Sequence, residues 1–355
     1  MSPPAPAESR CRDTNPGEQV NRSVAILGAT GLVGRTLLRL MEQRQFPVER
    51  LRLLGSECGR VLPFRDGELP VEAVSPRSFD GIDIALCCTI NSVAERWVPV
   101  ARAAGASVID NSSAFRYDPE IPLIVPEING ALLDRRPALI ANPNCSTIGV
   151  VMAVAPLARH AVLTRLAVAT YQSVSGAGAE ALGELELGIR AGLDGDPPPR
   201  AGGGAPFAFN VIPHIDRFES NGYTREEMKI VWESRKILDL PELPVSATAV
   251  RVPVRVGHAC AVSATFDREI PVELAREWWA KFPGVRVVDD PVASRYPTPL
   301  EASGCDDVLV GRARADLSQP RSLEFFVASD NLRKGAALNA LQIAEVLCRA
   351  EAGTR

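Results

Sequence analysis

The sequence predicts an α/β chain of two domains, a doubly wound domain of the Rossmann type followed by an α+β domain with a mostly antiparallel sheet. Three observations predict it. Strands and helices alternate over the first 140 residues or so, as a parallel sheet requires. A glycine-rich turn, Gly28–Gly34, separates the first strand from the first helix. After Cys145 the pattern changes to long alternating strands.

The elements of the first domain follow from apolar runs bounded by turn residues. Asn91 or Ser92 is expected to cap the second helix. The predicted strands are Ser23–Leu27, Leu51–Leu54, Ile82–Cys88, Ser107–Asp110 and Leu139–Ala141, and the predicted helices are Leu32–Arg44 and Asn91–Ala104.

The second domain begins with an apolar helical run after Cys145. Thr224 and Glu227 form a predicted capping box at the start of a charged helix, and residues 197–204 are too rich in proline and glycine for regular structure. The predicted strands are Leu163–Ser173, Ala247–Val254, Cys260–Phe266, Val285–Val288, Val308–Ala315 and Leu323–Ala328, and the helices are Ala177–Arg190, Thr224–Leu238, Val272–Lys281 and a final Gly335–Arg349.

Composition excludes several classes of function. The 355 residues carry a net charge of -4 with both signs dispersed, which does not suggest a protein that binds nucleic acid or a membrane surface. Residues 1–20 are polar and predict a disordered tail rather than a secretory signal. The eight cysteines lack the spacing of a zinc site, so no metal is expected, and they favour reduced thiols in the cytoplasm.

The glycine turn is suited to a dinucleotide. Gly28, Gly31 and Gly34 would let the backbone approach a pyrophosphate at a helix N-terminus, although a glycine turn before any helix is the plainer alternative. After the second strand, Glu57 would accept from the free 2′-hydroxyl of NAD, whereas Arg60 would favour the 2′-phosphate of NADP. These residues leave the choice of cofactor open.

Cys145 is the candidate nucleophile. It begins a helix, and a helix N-terminus carries about half a positive charge, which favours thiolate over thiol. A thiolate and a dinucleotide loop in one chain suggest oxidation or reduction of an acyl group held on sulfur.

The residues alone leave the partners of Cys145 open. His258 is either an acid/base group or a structural histidine, while His160 and His214 favour surface and loop roles. Arg251 interrupts an apolar strand and needs an anion. Arg116 follows a polar turn at the carboxyl edge of the sheet, where ligands bind in such folds. The spacing of Glu226 and Lys229 indicates a surface ion pair.

Several motifs, in order along the chain from about Val24 to the last helix, resemble aspartate-semialdehyde dehydrogenase. They are Gly28-Ala29-Thr30-Gly31-Leu32-Val33-Gly34, Asp110-Asn111-Ser112-Ser113-Ala114-Phe115-Arg116, Val125-Pro126-Glu127-Ile128-Asn129, Asn142-Pro143-Asn144-Cys145-Ser146-Thr147, Tyr171-Gln172-Ser173-Val174-Ser175-Gly176-Ala177-Gly178, Tyr223-Thr224-Arg225-Glu226-Glu227-Met228-Lys229, and Ser329-Asp330-Asn331-Leu332-Arg333-Lys334-Gly335-Ala336-Ala337.

The resemblance implies a role for each matching residue, and it replaces the surface-pair interpretation of Glu226 and Lys229. Cys145 is then the nucleophile, Gln172 positions substrate and thiol, and His258 is the acid/base catalyst. Arg251 and Glu226 would hold the substrate's α-carboxylate and α-amino group, and Arg116, Asn144 and Lys229 its phosphate. The implied cofactor-binding residues are Gly28, Thr30, Gly31, Leu32, Val33, Gly34, Ser56, Glu57, Arg60, Ser175, Gly176 and Asn331.

The implied activity is reversible, NADPH-dependent reductive dephosphorylation of L-aspartyl-4-phosphate to L-aspartate 4-semialdehyde through a cysteine thioester. It belongs to lysine, methionine, threonine and diaminopimelate biosynthesis. The family implies a homodimer. The expected NAD(P)-binding domain comprises 21–143 and 330–355, with 144–329 as the catalytic and dimerisation domain and 1–20 as a tail.

Two departures and two alternatives accompany this expectation. The family implies NADP(H), but an Arg-Ser pair that often holds the 2′-phosphate in the family is absent from the short segment Ser56–Arg60, so NAD(H) stays possible. Ser173, where alanine is common, is expected to matter little. N-acetyl-γ-glutamyl-phosphate reductase shares this chemistry, but Asn144-Cys145-Ser146 argues against its usual cysteine context. A non-catalytic paralogue typically loses the cysteine or histidine, and both are present.

Overall fold

A computed structural model of the chain describes residues 21–198 and 204–352. The predicted tail at 1–20 and residues 199–203 of the predicted loop lie outside the described residues. Among those described, no helix is both long and apolar enough to cross a membrane.

The first sheet has seven strands in the order β3-β4-β2-β1-β5-β6-β7, parallel except for the β3–β4 hairpin. Its strands are β1 Arg22–Leu27, β2 Val48–Leu54, β3 Val61–Phe64, β4 Gly67–Glu72, β5 Ile84–Cys87, β6 Ser107–Asp110 and β7 Leu139–Ala141. Its helices are α1 Leu32–Gln43, α2 Asn91–Ala103 and the short α3 Pro126–Asn129. The β3–β4 hairpin was not predicted.

The predicted cap of α2 is wrong. The capping position is Ile90, which offers no side-chain acceptor. Asn91 lies within the first turn and bonds instead to Ser113 of the neighbouring loop, accepting from its backbone N–H at 3.0 Å and donating to its hydroxyl at 2.9 Å. The asparagine therefore joins the start of α2 to the loop that follows β6.

The second sheet has six strands in the order β11-β12-β13-β10-β8-β9, with three antiparallel pairs inside and a parallel pair at each edge. The strands are β8 Leu163–Gln172, β9 Val245–Arg251, β10 His258–Phe266, β11 Val285–Val287, β12 Val308–Ala315 and β13 Ser322–Ser329. The helices are α4 Cys145–Ala158, α5 Ala179–Leu193, α6 Arg225–Ile237, α7 Val272–Lys281 and the short α8 Pro299–Ala302. The two-domain α/β class is confirmed, as is the capping box of α6, in which the Thr224 hydroxyl and the Glu227 carboxylate each accept the other's backbone N–H.

The end of the chain returns to the first domain. Helix α9, Leu338–Ala352, contributes Leu338 and Leu341 to the same apolar core as Val24 and Ile26 of β1. It is preceded by a π-helical turn over Arg333–Ala337, where the sequence predicted the start of an α-helix. A Cβ built on Gly335 in this turn would lie 3.0 Å from the Cys145 Cβ, so only glycine fits here without displacing a neighbour.

Strand register positions the site. β8 and β9 are parallel with Gln172 opposite Arg251, and β10 begins at His258 beside the same edge. Helix α4, which begins at Cys145, packs against β10 and β13. The ends of β8 and β9 and the starts of β10 and α4 therefore lie close together.

Candidate active site

One cavity of about 460 Å³ lies where the two domains meet. Cys145 and Gln172 line it together with charged side chains from four other segments. The predicted site residues in its wall are Val33, Arg116, Asn144, Cys145, Gln172, Ser175, Gly176, Glu226, Lys229, Arg251 and Asn331. His258 is 1% exposed and lies behind the wall, next to Gly176. Gly28, Thr30 and Gly31 belong to the turn before α1, Leu32 and Gly34 belong to the first turn of α1, and Ser56, Glu57 and Arg60 follow β2.

Cys145 is the first residue of α4, and Asn144 caps that helix. The Asn144 Oδ1 accepts from the backbone N–H groups of Ser146 and Thr147 at 2.9 and 3.2 Å. Its Nδ2 donates to Glu226 Oε1 at 2.9 Å. The asparagine thus joins the start of α4 to α6.

The thiolate predicted from the helix end is wrong for the free protein. Burial, assisted by the negative charge of Glu226, raises the pKa of Cys145 to about 11, against the opposing effects of Arg251, Arg116 and Lys229. Cys145 is half-buried in the cavity wall, and the loss of part of its contact with water opposes ionisation more than the helix end favours it. The Cys145 thiol must therefore lose its proton either when the substrate binds or during its attack on the substrate.

Glu226 and Lys229 form a buried ion pair, not the surface pair that their spacing indicated. Lys229 Nζ donates to Glu226 Oε2 at 2.9 Å and to Asp216 Oδ2 at 2.8 Å. Gln172 Nε2 donates to Glu226 Oε1 at 3.2 Å. Burial alone would raise the pKa of Glu226, but Lys229 and the amide donors bring it below its ordinary value, so the carboxylate is charged.

Arg116 is held by a carboxylate that sequence reasoning missed. Its NH1 donates to Glu233 Oε1 at 3.0 Å and its NH2 to the Asn111 carbonyl at 2.7 Å. Glu233 is fully buried and also accepts from the Asn144 backbone N–H at 2.6 Å. The signal that could have found it is its position on α6, seven residues after Glu226 and thus on the same helix face.

Arg251 lines the cavity, and His258 lies behind its wall. Arg251 NH1 donates to the Ser173 carbonyl at 2.7 Å, and burial lowers the pKa of its guanidinium. Burial, together with the charge of Arg251, lowers the pKa of His258 to about 3, so the imidazole is neutral. His160 and His214 are exposed and stack on Trp278 and Phe218.

The turn before α1 fits a dinucleotide. Gly28 has φ +87°, and a Cβ there would collide with the Cys88 carbonyl. A Cβ on Gly34 would collide with the Gly28 carbonyl. No side chain caps the start of α1, so its first N–H groups face outward as donors for a pyrophosphate.

The two opposing residues after β2 bind each other. Glu57 and Arg60 form an exposed ion pair, and hydrogen bonds from Arg60 and Thr30 lower the pKa of Glu57.

Asn331, in the wall of the cavity, is buried, and its Nδ2 donates to the Ser175 hydroxyl at 2.9 Å. Within the described residues, no three histidine, cysteine, aspartate or glutamate side chains are grouped to hold a metal.

The fold and this cavity define a semialdehyde dehydrogenase, a nicotinamide-dependent oxidoreductase with a Rossmann-type domain. Residues 23–135 match the model of the semialdehyde dehydrogenase NAD-binding domain, and residues 154–334 match that of the semialdehyde dehydrogenase dimerisation domain. The chain belongs to the aspartate-semialdehyde dehydrogenase family.

Individual relatives extend over nearly the whole chain. It is 47% identical to the aspartate-semialdehyde dehydrogenase of Synechocystis sp. over 91% of its length and 96% of that protein. It is also 47% identical to the enzyme of Aquifex aeolicus, over 92% and 98%. Among solved structures, aspartate semialdehyde dehydrogenase II from Vibrio cholerae complexed with ASA is similar, with TM-score 0.89, 42% identity, and coverage of 93% and 99%.

Proposed function

We propose that the chain catalyses the reversible, NADPH-dependent reductive dephosphorylation of L-aspartyl-4-phosphate to L-aspartate 4-semialdehyde. One observation carries the proposal: Cys145 shares a single cavity with Arg251 and Glu226, and with Arg116 and Lys229. The first two offer opposite charges to an amino acid's carboxylate and amino group. The second two offer cations to a phosphate.

The acyl transfer begins at sulfur. Cys145 Sγ bonds to the acyl carbon, the carbon–oxygen bond to phosphate breaks, and the thiol proton leaves on the phosphate. Arg116 and Lys229 stabilise the departing charge, while Asn144 and Gln172 fix Glu226 against the amino group. A thioester to Cys145 results, and it divides one difficult step into two easier ones.

Reduction releases the product. The nicotinamide, when bound, supplies a hydride to the thioester carbon. His258 then donates a hydrogen bond to the negatively charged oxygen on that carbon. The carbon–oxygen double bond re-forms as the carbon–sulfur bond breaks, and the Cys145 sulfur, which leaves as a thiolate, takes up a proton from water.

The cofactor proposed is NADP(H), with NAD(H) also used. The turn before α1 would hold the pyrophosphate, and Ser175, Gly176 and Asn331 lie on the nicotinamide side. Because Arg60 is paired with Glu57, its charge is partly neutralised where a 2′-phosphate would bind. This supports a smaller preference for NADP than a free arginine would give.

The proposed assembly is a homodimer in the cytoplasm, with domain boundaries at 21–143 plus 330–355 and at 144–329. The match to a dimerisation domain supports the dimer. Tyr171 also supports it, because this large side chain is 39% exposed on the outer face of β8, where its ring contacts Phe326. The seven described cysteines are free thiols, which suits a reducing compartment.

The direct test is phosphate-dependent oxidation of L-aspartate 4-semialdehyde with NADP. N-acetyl-L-glutamate 5-semialdehyde serves as the competing substrate and Cys145→Ala as the control. Activity on the aspartate compound that requires phosphate and Cys145 supports the proposal. A preference for the glutamate compound would indicate the related reductase, and no turnover of either would indicate a binding protein.

A second test asks whether the two ends of the cavity bind different parts of the substrate. Arg116→Ala should raise the KM for phosphate about tenfold or more, the effect of one charged hydrogen bond, and alter the semialdehyde KM less. Arg251→Ala should do the reverse. Equal effects of each variant on both KM values would contradict the two-ended site.

A further inference from the structure

Lys229, one of the two cations proposed for the phosphate, is already bound to two carboxylates. Its Nζ donates to Glu226 Oε2 at 2.9 Å and to Asp216 Oδ2 at 2.8 Å. Arg116, the other cation, is bound to Glu233 at 3.0 Å. At this end of the cavity the carboxylates therefore outnumber the cations, and a phosphate would add further negative charge.

Two of these carboxylates are fixed by other donors. Glu233 is fully buried and also accepts from the Asn144 backbone N–H at 2.6 Å. Glu226 is 6% exposed and also accepts from the side-chain amides of Asn144 and Gln172. Moving either carboxylate would leave these donors unpaired inside the protein, which is costly. Neither can therefore make room for a phosphate.

Asp216, which lines the cavity beside Lys229, is held less firmly. Its side chain is 37% exposed, and its Oδ1 accepts from the backbone N–H of the next residue, Arg217, at 2.8 Å. Partial burial opposes its charge, but the hydrogen bonds from Lys229 and Arg217 keep its pKa below the ordinary value, so the carboxylate is charged. The backbone before it is anchored, because Ile212 exchanges two hydrogen bonds with Arg251. Rotation of the Asp216 side chain is therefore enough to move the carboxylate from Lys229 into water.

We propose that Asp216 competes with the phosphate for Lys229. It binds the lysine in the free protein, is displaced when the acyl phosphate enters, and returns as inorganic phosphate leaves. The inference rests on the proposed function, in which Lys229 binds the phosphate. Like charges a few ångströms apart repel each other, so the exchange weakens phosphate binding and speeds the departure of this product.

The test variant is Asp216→Asn, which keeps the size of the side chain and an oxygen for Lys229 but removes the charge. Asparagine also tolerates the backbone here, where φ is +67°. In oxidation of L-aspartate 4-semialdehyde, the KM for inorganic phosphate should fall about tenfold, the effect of one charge-assisted hydrogen bond. The KM for the semialdehyde should change less than about twofold, because Glu226 and Arg251 keep their partners.

A purely orienting role for Asp216 predicts the opposite direction. If the carboxylate serves only to aim Lys229 at the phosphate, weakening that contact should raise the phosphate KM. A raised or unchanged phosphate KM in Asp216→Asn would therefore overturn the proposal.

Protection of Cys145 from iodoacetamide measures phosphate binding without turnover. Arg116 and Lys229 line the same cavity as Cys145 and act on the pKa of its thiol, so a phosphate bound to them should hinder alkylation. The phosphate concentration that halves the alkylation rate should be about tenfold lower for Asp216→Asn than for the wild type. Equal concentrations would overturn this inference and leave the proposed function intact. No protection of either protein, together with no phosphate-dependent turnover, would overturn the phosphate site itself.

The matched control is Asp306→Asn. Asp306 binds Arg333 at 2.7 Å with its side chain 42% exposed, much as Asp216 binds Lys229, but neither residue belongs to the cavity wall. This variant should leave both phosphate measurements unchanged, and an equal gain in the control would reduce the effect to net charge and overturn the proposal. If Asp216→Asn does not fold, Asp216→Gly replaces it, because glycine accepts the positive φ and also removes the carboxylate.

Discussion

Two ion pairs in this protein have the same three-residue spacing and opposite surroundings. In Glu57–Arg60 the side chains are 50% and 44% exposed, whereas in Glu226–Lys229 they are 6% and 13% exposed. The first lies in the loop between β2 and β3. The second lies on α6, packed against α4 and β9.

The difference lies in the partners around each pair. Glu226 also accepts from Asn144 and Gln172, so its position is tied to the start of the nucleophile's helix and to the end of β8. Exposed pairs contribute little because water screens them, whereas breaking a buried pair leaves an uncompensated charge. The same spacing thus gives a solvent-screened pair in one place and a fixed part of the site in the other.

The largest expected difference between the two pairs is in the loss of stability when the cation of each is removed. Lys229→Met keeps the apolar stem but leaves the Glu226 carboxylate buried without its cation, and should reduce the free energy of unfolding by about 3 kcal/mol. Arg60→Met should leave it unchanged. Urea denaturation measures both, and equal losses would show that burial does not distinguish the pairs.

The second effect is on the nucleophile. Because the pKa of Cys145 is about 11, alkylation by iodoacetamide should rise about tenfold per pH unit from pH 7 to 10. Glu226→Gln removes a charge that raises this pKa and should increase the rate at pH 8 severalfold, whereas Glu57→Gln should not change it. Mass spectrometry of the labelled peptide locates the reaction, and a rate that is flat above pH 7 would mean an already ionised thiol.

The smallest effect concerns cofactor choice. Glu57→Ala frees Arg60 and removes a negative charge from the expected 2′-phosphate position. The ratio of kcat/KM for NADP over NAD should rise by about tenfold, corresponding to one pKa unit of differential interaction. A wild-type enzyme that already rejects NAD, with a ratio that Glu57→Ala leaves unchanged, would place the 2′-phosphate elsewhere.

Local pattern was enough to predict most of the elements and the three features that one segment builds. The glycine turn, the start of α4 and the capping box of α6 each depend on residues within one turn of each other. The β3–β4 hairpin was missed although Asp66-Gly67 is a turn signal, because Pro63 and Pro70 weaken both strands.

Long-range partners could not be predicted. Glu233 meets Arg116 across 117 residues, and Ser173 meets His258 across 85. Ser173 was expected to matter little, yet the fold places its hydroxyl on the ring. Likewise, the helix end at Cys145 predicted a thiolate, because sequence shows the helix start but not the depth at which it is buried.

The central claim is that Cys145 carries the acyl group, and a phosphate-free burst tests it most directly. With L-aspartate 4-semialdehyde and NADP but no phosphate, the enzyme should form about one NADPH per chain rapidly and then nearly stop, because the thioester has no acceptor. Added phosphate should restart turnover, and Cys145→Ala should give no burst. A full burst from Cys145→Ala, or steady turnover without phosphate, would contradict the account.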